Sequence, residues 1–133
     1  MLVLDTHIFV WWVSNDQMLP AKPKKAIDRI LDKGGEITIS SISAWEIAML
    51  IHKGRLLLNM DLESWLDQVA QIEGITFYPV DNEIALKAVT LPGNFHKDPA
   101  DRMIVATARK LALPLVTTDE KILRYSHVKT FAL

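Results

Sequence analysis

The chain begins with a short apolar run, residues 1–5, that ends at a carboxylate. Apolar runs of this length are typical of strands that are covered on both faces, as in a parallel sheet. In open α/β sheets, ligands bind in the crevice outside the carboxyl ends of the strands. The run therefore predicts a buried first strand that places Asp5 at the edge of the sheet where a site would lie.

Strand-like and helix-like segments alternate along the rest of the chain. Apolar and β-branched runs predict further strands at residues 36–39, 75–80, 115–117 and 128–131. Helical periodicity and capping residues predict helices at residues 8–13, 23–33, 40–52, 62–72, 81–89, 99–113 and 120–123. The alternation, without repeats or a linker, predicts one domain over residues 1–133, a three-layer α/β/α sandwich with a central, largely parallel sheet.

The composition favours a cytoplasmic protein with no membrane association. The chain has no cysteine, which excludes thiolate metal sites and is typical of a reducing compartment. No stretch is apolar for long enough to span a membrane, and the opening run is too short to be a signal peptide. The net charge of −1 gives no overall basic field, although committing four acids to a metal would leave a basic remainder.

Glu46 is the second acid that the pattern singles out, because it is the only ionisable residue in residues 42–51. A helix that is apolar nearly all round is buried, and an unpaired carboxylate inside it is strongly destabilising. Two interpretations are open. If the helix begins at Ser43, Glu46 completes a capping box; if it begins at Ser40 or Ser41, Glu46 lies a full turn inside and needs another partner.

Three further acids lie at a helix start or at a strand end. Asp98, Pro99 and Asp101 form a favourable helix N-terminus, where the helix dipole also favours the ionised form of Asp101. Asp119 follows a strand, as Asp5 does, and equally suits the cap of the short helix after it. Each of these acids, taken alone, therefore has a structural explanation.

Taken together, Asp5, Glu46, Asp101 and Asp119 are predicted to meet at one edge of a small α/β sheet. Clustered carboxylates repel one another and do not all stay ionised without a cation. All-oxygen ligation suits Mg²⁺ or Mn²⁺, which bind through a few carboxylates and keep waters that a phosphate can displace. The cluster therefore favours metal-assisted hydrolysis of phosphodiester bonds.

Four stretches, in this order, resemble the motifs of PIN-domain ribonucleases. They are residues 4–7 (LDTH), residues 40–46 with their Trp-Glu pair, residues 96–108 (HKDPADRMIVATA) and residues 115–119 (LVTTD). The closest likeness is to the VapC-type toxins of toxin–antitoxin pairs, and it covers nearly the whole chain. The resemblance implies a PIN fold, Mg²⁺- or Mn²⁺-dependent endoribonuclease activity on RNA, a homodimer and a cognate antitoxin that covers the active site.

The resemblance also assigns roles to individual residues. It implies that Asp5, Glu46, Asp101 and Asp119 are the catalytic, metal-binding acids. Thr117 matches an auxiliary hydroxyl that orients a ligand or water, and Asp98 matches an extra acid found in some members. His7 stands where many members carry Asn, and it either contacts metal-bound water or RNA or makes a structural hydrogen bond. Arg102 either counters the acids, contacts a substrate phosphate or forms a surface ion pair.

Other classes of function fit less well. A haloacid-dehalogenase-like phosphatase would carry a second Asp where this chain has His7. A nucleotide-binding domain would have a glycine-rich turn after the first strand, and this chain has none. The remaining alternative is a catalytically inactive PIN-like RNA-binding or scaffold module, which the presence of all four acids disfavours.

Overall fold

A parallel four-stranded sheet forms the centre of the computed structural model, which describes residues 1–131. The strands are β1 (Leu2–Leu4), β2 (Ile37–Ser40), β3 (Ile75–Tyr78) and β4 (Leu115–Val116), in the order β3-β2-β1-β4. The helices described are α1 (Thr6–Val13), α2 (Ala21–Asp32), α3 (Ile42–His52), α4 (Leu62–Ala70), α5 (Asn82–Val89), α6 (Pro99–Leu111) and α7 (Glu120–Leu123). The predicted α/β fold with a parallel sheet is confirmed.

The sheet separates two apolar cores, as the alternation of side chains along a strand requires. In β1, Leu2 and Leu4 belong to the core beneath α1, α2 and α4, whereas Val3 belongs to the core beneath α5, α6 and α7. Helix α3 contributes to both, with Ile47 in the first core and Ile42 in the second. These three layers explain why β1, β2 and β4 are buried along their whole length.

The strand order fixes where the acids meet. Leu4, the last residue of β1, pairs with Ile39 of β2 on one side and with Val116 of β4 on the other. Because all strands are parallel, the segments that follow β1, β2 and β4 leave the sheet at the same edge. Asp5, helix α3 and Asp119 therefore start from neighbouring points.

The structure differs from the sequence-based prediction mainly near the end of the chain. The predicted strand at residues 128–131 is wrong, because this segment makes only an isolated bridge between Thr130 and Leu115. Helix α6 ends at Leu111 and not at residue 113, because Ala112 adopts a left-handed conformation with φ of 55°. Among residues 1–131, no helix combines the length and the apolar character needed to cross a membrane.

Candidate active site

One cavity of about 290 Å³ opens at the carboxyl edge of the sheet, and acidic side chains dominate its lining. A larger groove of about 470 Å³, between the end of α1 and α4, contains no acidic residue, so size alone does not identify the site. The residues that line the acidic cavity are Asp5, Thr6, His7, Glu46, Leu50, Asp98, Asp101 and Asp119. All four acids predicted to bind metal, together with Asp98 and His7, are thus brought to one place.

Asp5 is buried and held from two directions. Only 2% of the residue is exposed, and its Oδ1 accepts a 2.8 Å hydrogen bond from the backbone N–H of Thr6 at the start of α1. Its Oδ2 accepts a 2.7 Å hydrogen bond from the hydroxyl of Thr117, just after β4. A buried carboxylate needs such partners, and these two fix its orientation.

Glu46 lies well inside α3, because the helix begins at Ile42 with Ser41 as its N-cap. The capping-box interpretation is therefore wrong. Its partner is instead the hydroxyl of Thr6, which donates to Oε1 over 2.5 Å. Burial raises the pKa of Glu46, the hydrogen bond from Thr6 opposes this shift, and repulsion from Asp5 and Asp98 adds to it.

Asp98 and Asp101 lie together at the start of α6. The Oδ1 atom of Asp98 accepts a 3.0 Å hydrogen bond from the backbone N–H of Asp101, so Asp98 is the N-cap. The pKa of Asp101 is raised to about 8, first by burial and then by repulsion from the carboxylates of Asp5, Asp98, Asp119 and Glu46. The site thus holds more negative charge than its own surroundings neutralise.

His96 is the basic group nearest to Asp101. Its Nε2 lies 2.9 Å from Oδ2 of Asp101. The contact is short enough for a hydrogen bond, but it is not aligned as one, and this buried nitrogen has no hydrogen-bond partner among residues 1–131. His96 therefore lies beside the acid without a directed bond to it.

Asp119 is the helix cap that was one of its two predicted roles, and its cap position does not remove it from the cavity. Its Oδ1 accepts a 2.9 Å hydrogen bond from the backbone N–H of Lys121, so it caps α7, and it also lines the cavity. Its own N–H donates to the hydroxyl oxygen of Thr117 over 3.0 Å. Thr117 therefore links Asp119 to Asp5, although it does not line the cavity itself.

His7 contacts residues that follow two neighbouring strands, β1 and β4. Its Nε2 lies 2.9 Å from the hydroxyl of Thr118, and its Nδ1 lies 3.5 Å from Oδ2 of Asp5. Its ring packs against that of Trp11, one turn further along α1, in a T-shaped arrangement with 5.0 Å between the ring centroids. These contacts give His7 the structural hydrogen bond that was one of its two predicted roles, while about a third of its side chain stays exposed to the cavity.

The structural role of Arg102 differs from the roles that were predicted from the sequence. Its guanidinium donates to the backbone carbonyls of Ala88 and Val89 at the end of α5, over 2.7 and 3.2 Å. It also donates to those of Phe95 and His96, over 3.0 and 3.1 Å. We correct the prediction accordingly: Arg102 does not line the cavity, and its donors hold the α5–α6 connection instead of countering the acids or contacting a phosphate.

Sequence reasoning missed Thr6, Ser43 and Leu50. Thr6 and Ser43 are buried and their hydroxyl oxygens lie 2.8 Å apart, although they come from different helices. A signal was available for both, because Thr6 follows the acid at a strand end and Ser43 lies one turn before Glu46. Ser43 was interpreted only as a possible helix cap, and Thr6 only as part of the motif at residues 4–7.

The donor set of the cavity fits a hard divalent cation. Five carboxylates line it, no Lys or Arg does, and burial together with mutual repulsion raises the pKa values of Asp101 and Glu46. Carboxylate oxygens are the ligands that Mg²⁺ and Mn²⁺ prefer. Within residues 1–131, however, no three His, Asp or Glu side chains already have the arrangement of a metal centre. Which residues bind a metal therefore stays a prediction.

Fold and cavity together define a class of α/β protein in which a parallel sheet gathers carboxylates at its carboxyl edge. The model of the PIN domain family matches residues 2–128. The chain is also 34% identical over 126 residues to Ribonuclease VapC22 of Mycobacterium tuberculosis. The matched region covers 95% of this chain and 92% of that protein. The chain belongs to the PIN domain family.

Solved structures show the same fold at low sequence identity. One is a crystal structure of VapBC2 from Rickettsia felis bound to a DNA fragment from their promoter, with a TM-score of 0.70 and 18% identity. Another is a crystal structure of DNA-bound VapBC from Salmonella typhimurium, with a TM-score of 0.65 and 20% identity. Each covers 98% of this chain and 96% of the matched chain.

Proposed function

We propose that the protein is a metal-dependent endoribonuclease that acts as the toxin of a toxin–antitoxin pair. The observation that carries the proposal is the cavity in which five carboxylates meet without a Lys or Arg to neutralise them. The similarity to a ribonuclease over nearly the whole chain supports RNA as the substrate. A purely structural role would not account for so much uncompensated negative charge at one edge of the sheet.

The cation would be Mg²⁺ or Mn²⁺, held by Asp5, Glu46, Asp101 and Asp119. Asp98 is an auxiliary acid, since it caps α6 and lines the same cavity. When bound, such a cation polarises the phosphodiester and makes an attacking water more acidic.

The residues around these acids keep them in place and control their charge. The N–H of Thr6 and the hydroxyl of Thr117 hold Asp5 on both of its oxygens. With a pKa of about 8, the carboxyl of Asp101 holds a proton at neutral pH in the metal-free protein. A cation would have to displace that proton, so metal binding should strengthen as the pH rises.

We further propose a cognate antitoxin as partner, a homodimer as the assembled state and the cytoplasm as the place of action. The antitoxin is supported by the fold, which is shared with chains of toxin–antitoxin complexes. Such a partner would cover the acidic cavity and block access of RNA.

The test is cleavage of RNA by the purified protein with Mg²⁺, with Mn²⁺ and with a chelator. Asp5→Asn and Glu46→Gln remove one negative charge each and keep the shape of the side chain. We expect both to abolish cleavage while leaving the circular dichroism spectrum unchanged. The matched control is Asp67→Asn, because Asp67 is an exposed acid of α4 that does not line the cavity.

Three outcomes would count against the proposal. Cleavage that persists in the chelator would exclude the metal, and equal cleavage by the wild type, Asp5→Asn and Glu46→Gln would exclude the assigned site. A wild-type protein that neither cleaves RNA nor binds Mn²⁺ would favour the inactive RNA-binding or scaffold module.

A further inference from the structure

Thr6 is hydrogen-bonded to two of the carboxylates that we propose as metal ligands. Its backbone N–H donates to Oδ1 of Asp5 over 2.8 Å, and its hydroxyl donates to Oε1 of Glu46 over 2.5 Å. Thr6 and Glu46 are 40 residues apart in the sequence and belong to different helices. One residue therefore ties the acid at the end of β1 to the acid inside α3.

The direction of the hydrogen bonds around Thr6 follows from proton counting. A hydroxyl has one proton to donate, and the proton of Thr6 goes to the carboxylate of Glu46. The 2.8 Å contact between the hydroxyls of Thr6 and Ser43 must then have Ser43 as the donor. Both residues are buried, with 5% and 0% of their surface exposed, so water does not compete for the bond between their hydroxyls.

The hydroxyl chain leaves Glu46 with one oxygen bound and one available. Its Oε1 accepts from Thr6, and its Oε2 accepts no hydrogen bond from residues 1–131. The chain Ser43–Thr6–Glu46 runs from two buried hydroxyls to a half-buried carboxylate, and it restricts the rotation of that carboxylate. Hydrogen-bond partners of metal ligands are known to orient those ligands in this way.

We propose that Thr6 is a positioning residue of the active site, which fixes Asp5 and Glu46 relative to each other so that both can hold one cation. The inference rests on the proposed function for the identity of the ligands. Thr6 acts through the two carboxylates, and its hydroxyl does not need to touch RNA. A threonine that merely filled space at the start of α1 would be replaced by the isosteric valine without loss of metal binding.

The experiment measures Mn²⁺ affinity by calorimetry for the wild type, Thr6→Val and Thr6→Ser. Thr6→Val keeps the shape and the backbone N–H but removes the hydroxyl, and we expect its affinity to fall by roughly 10- to 100-fold. Thr6→Ser keeps the hydroxyl and should retain an affinity close to that of the wild type. The matched control is Thr107→Val, because the hydroxyl of this buried threonine bonds only within α6 and lies outside the cavity.

Equal Mn²⁺ affinities of the wild type and Thr6→Val would overturn the inference, and so would a Thr6→Ser variant as weak as Thr6→Val. Should Thr6→Val fail to fold, Ser43→Ala tests the same chain while leaving Thr6 in place. We expect Ser43→Ala to bind Mn²⁺ more weakly than the wild type, and wild-type affinity would contradict the hydroxyl chain. If the wild type binds Mn²⁺ but does not cleave RNA, the proposed function fails, whereas the role of Thr6 is still decided by the Mn²⁺ affinities.

Discussion

The hydroxyl of Thr117 donates a 2.7 Å hydrogen bond to Oδ2 of Asp5, and so joins the ends of two neighbouring strands. The same hydroxyl oxygen accepts the backbone N–H of Asp119. Thr117 is fully buried and is 112 residues from Asp5 in the sequence, so the parallel pairing of β1 with β4 is what brings them together. The sheet itself therefore sets the spacing between two of the proposed ligands.

We expect Thr117→Val to reduce RNA cleavage by roughly 10- to 100-fold, because Asp5 loses the donor that orients its Oδ2. A buried carboxylate oxygen left without that partner should also lower the free energy of unfolding by about 1–3 kcal/mol. Cleavage rates and urea unfolding measure the two effects, and Thr117→Ser should restore most of both. Thr38→Val, in the buried strand β2 but outside the cavity, is the control. Cleavage by Thr117→Val at the wild-type rate would contradict a role for this hydroxyl.

The raised pKa of Asp101 predicts how the stability of the metal-free protein depends on pH. The pKa of the Asp101 carboxyl is 3.8 when unperturbed and about 8 in the folded protein. Between these two pH values, the folded protein therefore keeps a proton on Asp101 that the unfolded chain has released. The contribution of this group is therefore fully present below pH 3.8 and is lost as the pH rises through about 8. The loss is at most about 1.4 kcal/mol per pH unit.

Urea unfolding in the presence of a chelator measures this dependence. We expect the wild type to lose stability across the window, and Asp101→Asn, which cannot ionise, to lose less. Added Mg²⁺ should stabilise the wild type at the upper end of the window and should stabilise Asp101→Asn much less. Parallel pH curves for the two proteins would show that Asp101 is not the group responsible.

The fold was largely predictable because it depends on local patterns. An apolar run that ends at Asp5, and another that is followed by two threonines and Asp119, are enough to predict two buried parallel strands and the edge at which their acids leave the sheet. Glu46 could be singled out only as an acid in an apolar helix, because whether it capped the helix depended on a boundary among three serines. The structure places that boundary at Ser41.

The contacts that the sequence did not predict involve segments without regular secondary structure. Arg102 bonds to Phe95 and His96, and their carbonyls point at it only because the connection between α5 and α6 folds back. The final segment had a strand-like composition, but it lies at the edge of the sheet beside a two-residue strand and makes only one bridge. Periodicity carries no information about either arrangement.

The toxin role predicts a phenotype that separates it from a housekeeping nuclease. Expression of the chain alone in a bacterial host should arrest growth, because the acidic cavity is then open to cellular RNA. Asp5→Asn should allow growth at the same protein level, and co-expression of the proposed cognate antitoxin should relieve the arrest caused by the wild type. Normal growth at high levels of soluble wild-type protein would count against the toxin role.

The contacts of Arg102 predict that a lysine at this position cannot hold the connection between α5 and α6 near the acids. Its planar guanidinium bonds to four backbone carbonyls from α5 and the loop before α6, and a lysine ammonium does not match that arrangement. We expect Arg102→Lys to lower the free energy of unfolding by on the order of 2–4 kcal/mol. Because the loop leads directly to Asp98 and Asp101, Mn²⁺ affinity should fall as well, even at a temperature where the variant is folded.

The control is Arg124→Lys. Arg124 forms an exposed ion pair with Glu120, so this substitution should change the free energy of unfolding by less than about 1 kcal/mol. If Arg102→Lys behaves like Arg124→Lys, the carbonyl contacts do not hold the acids in place.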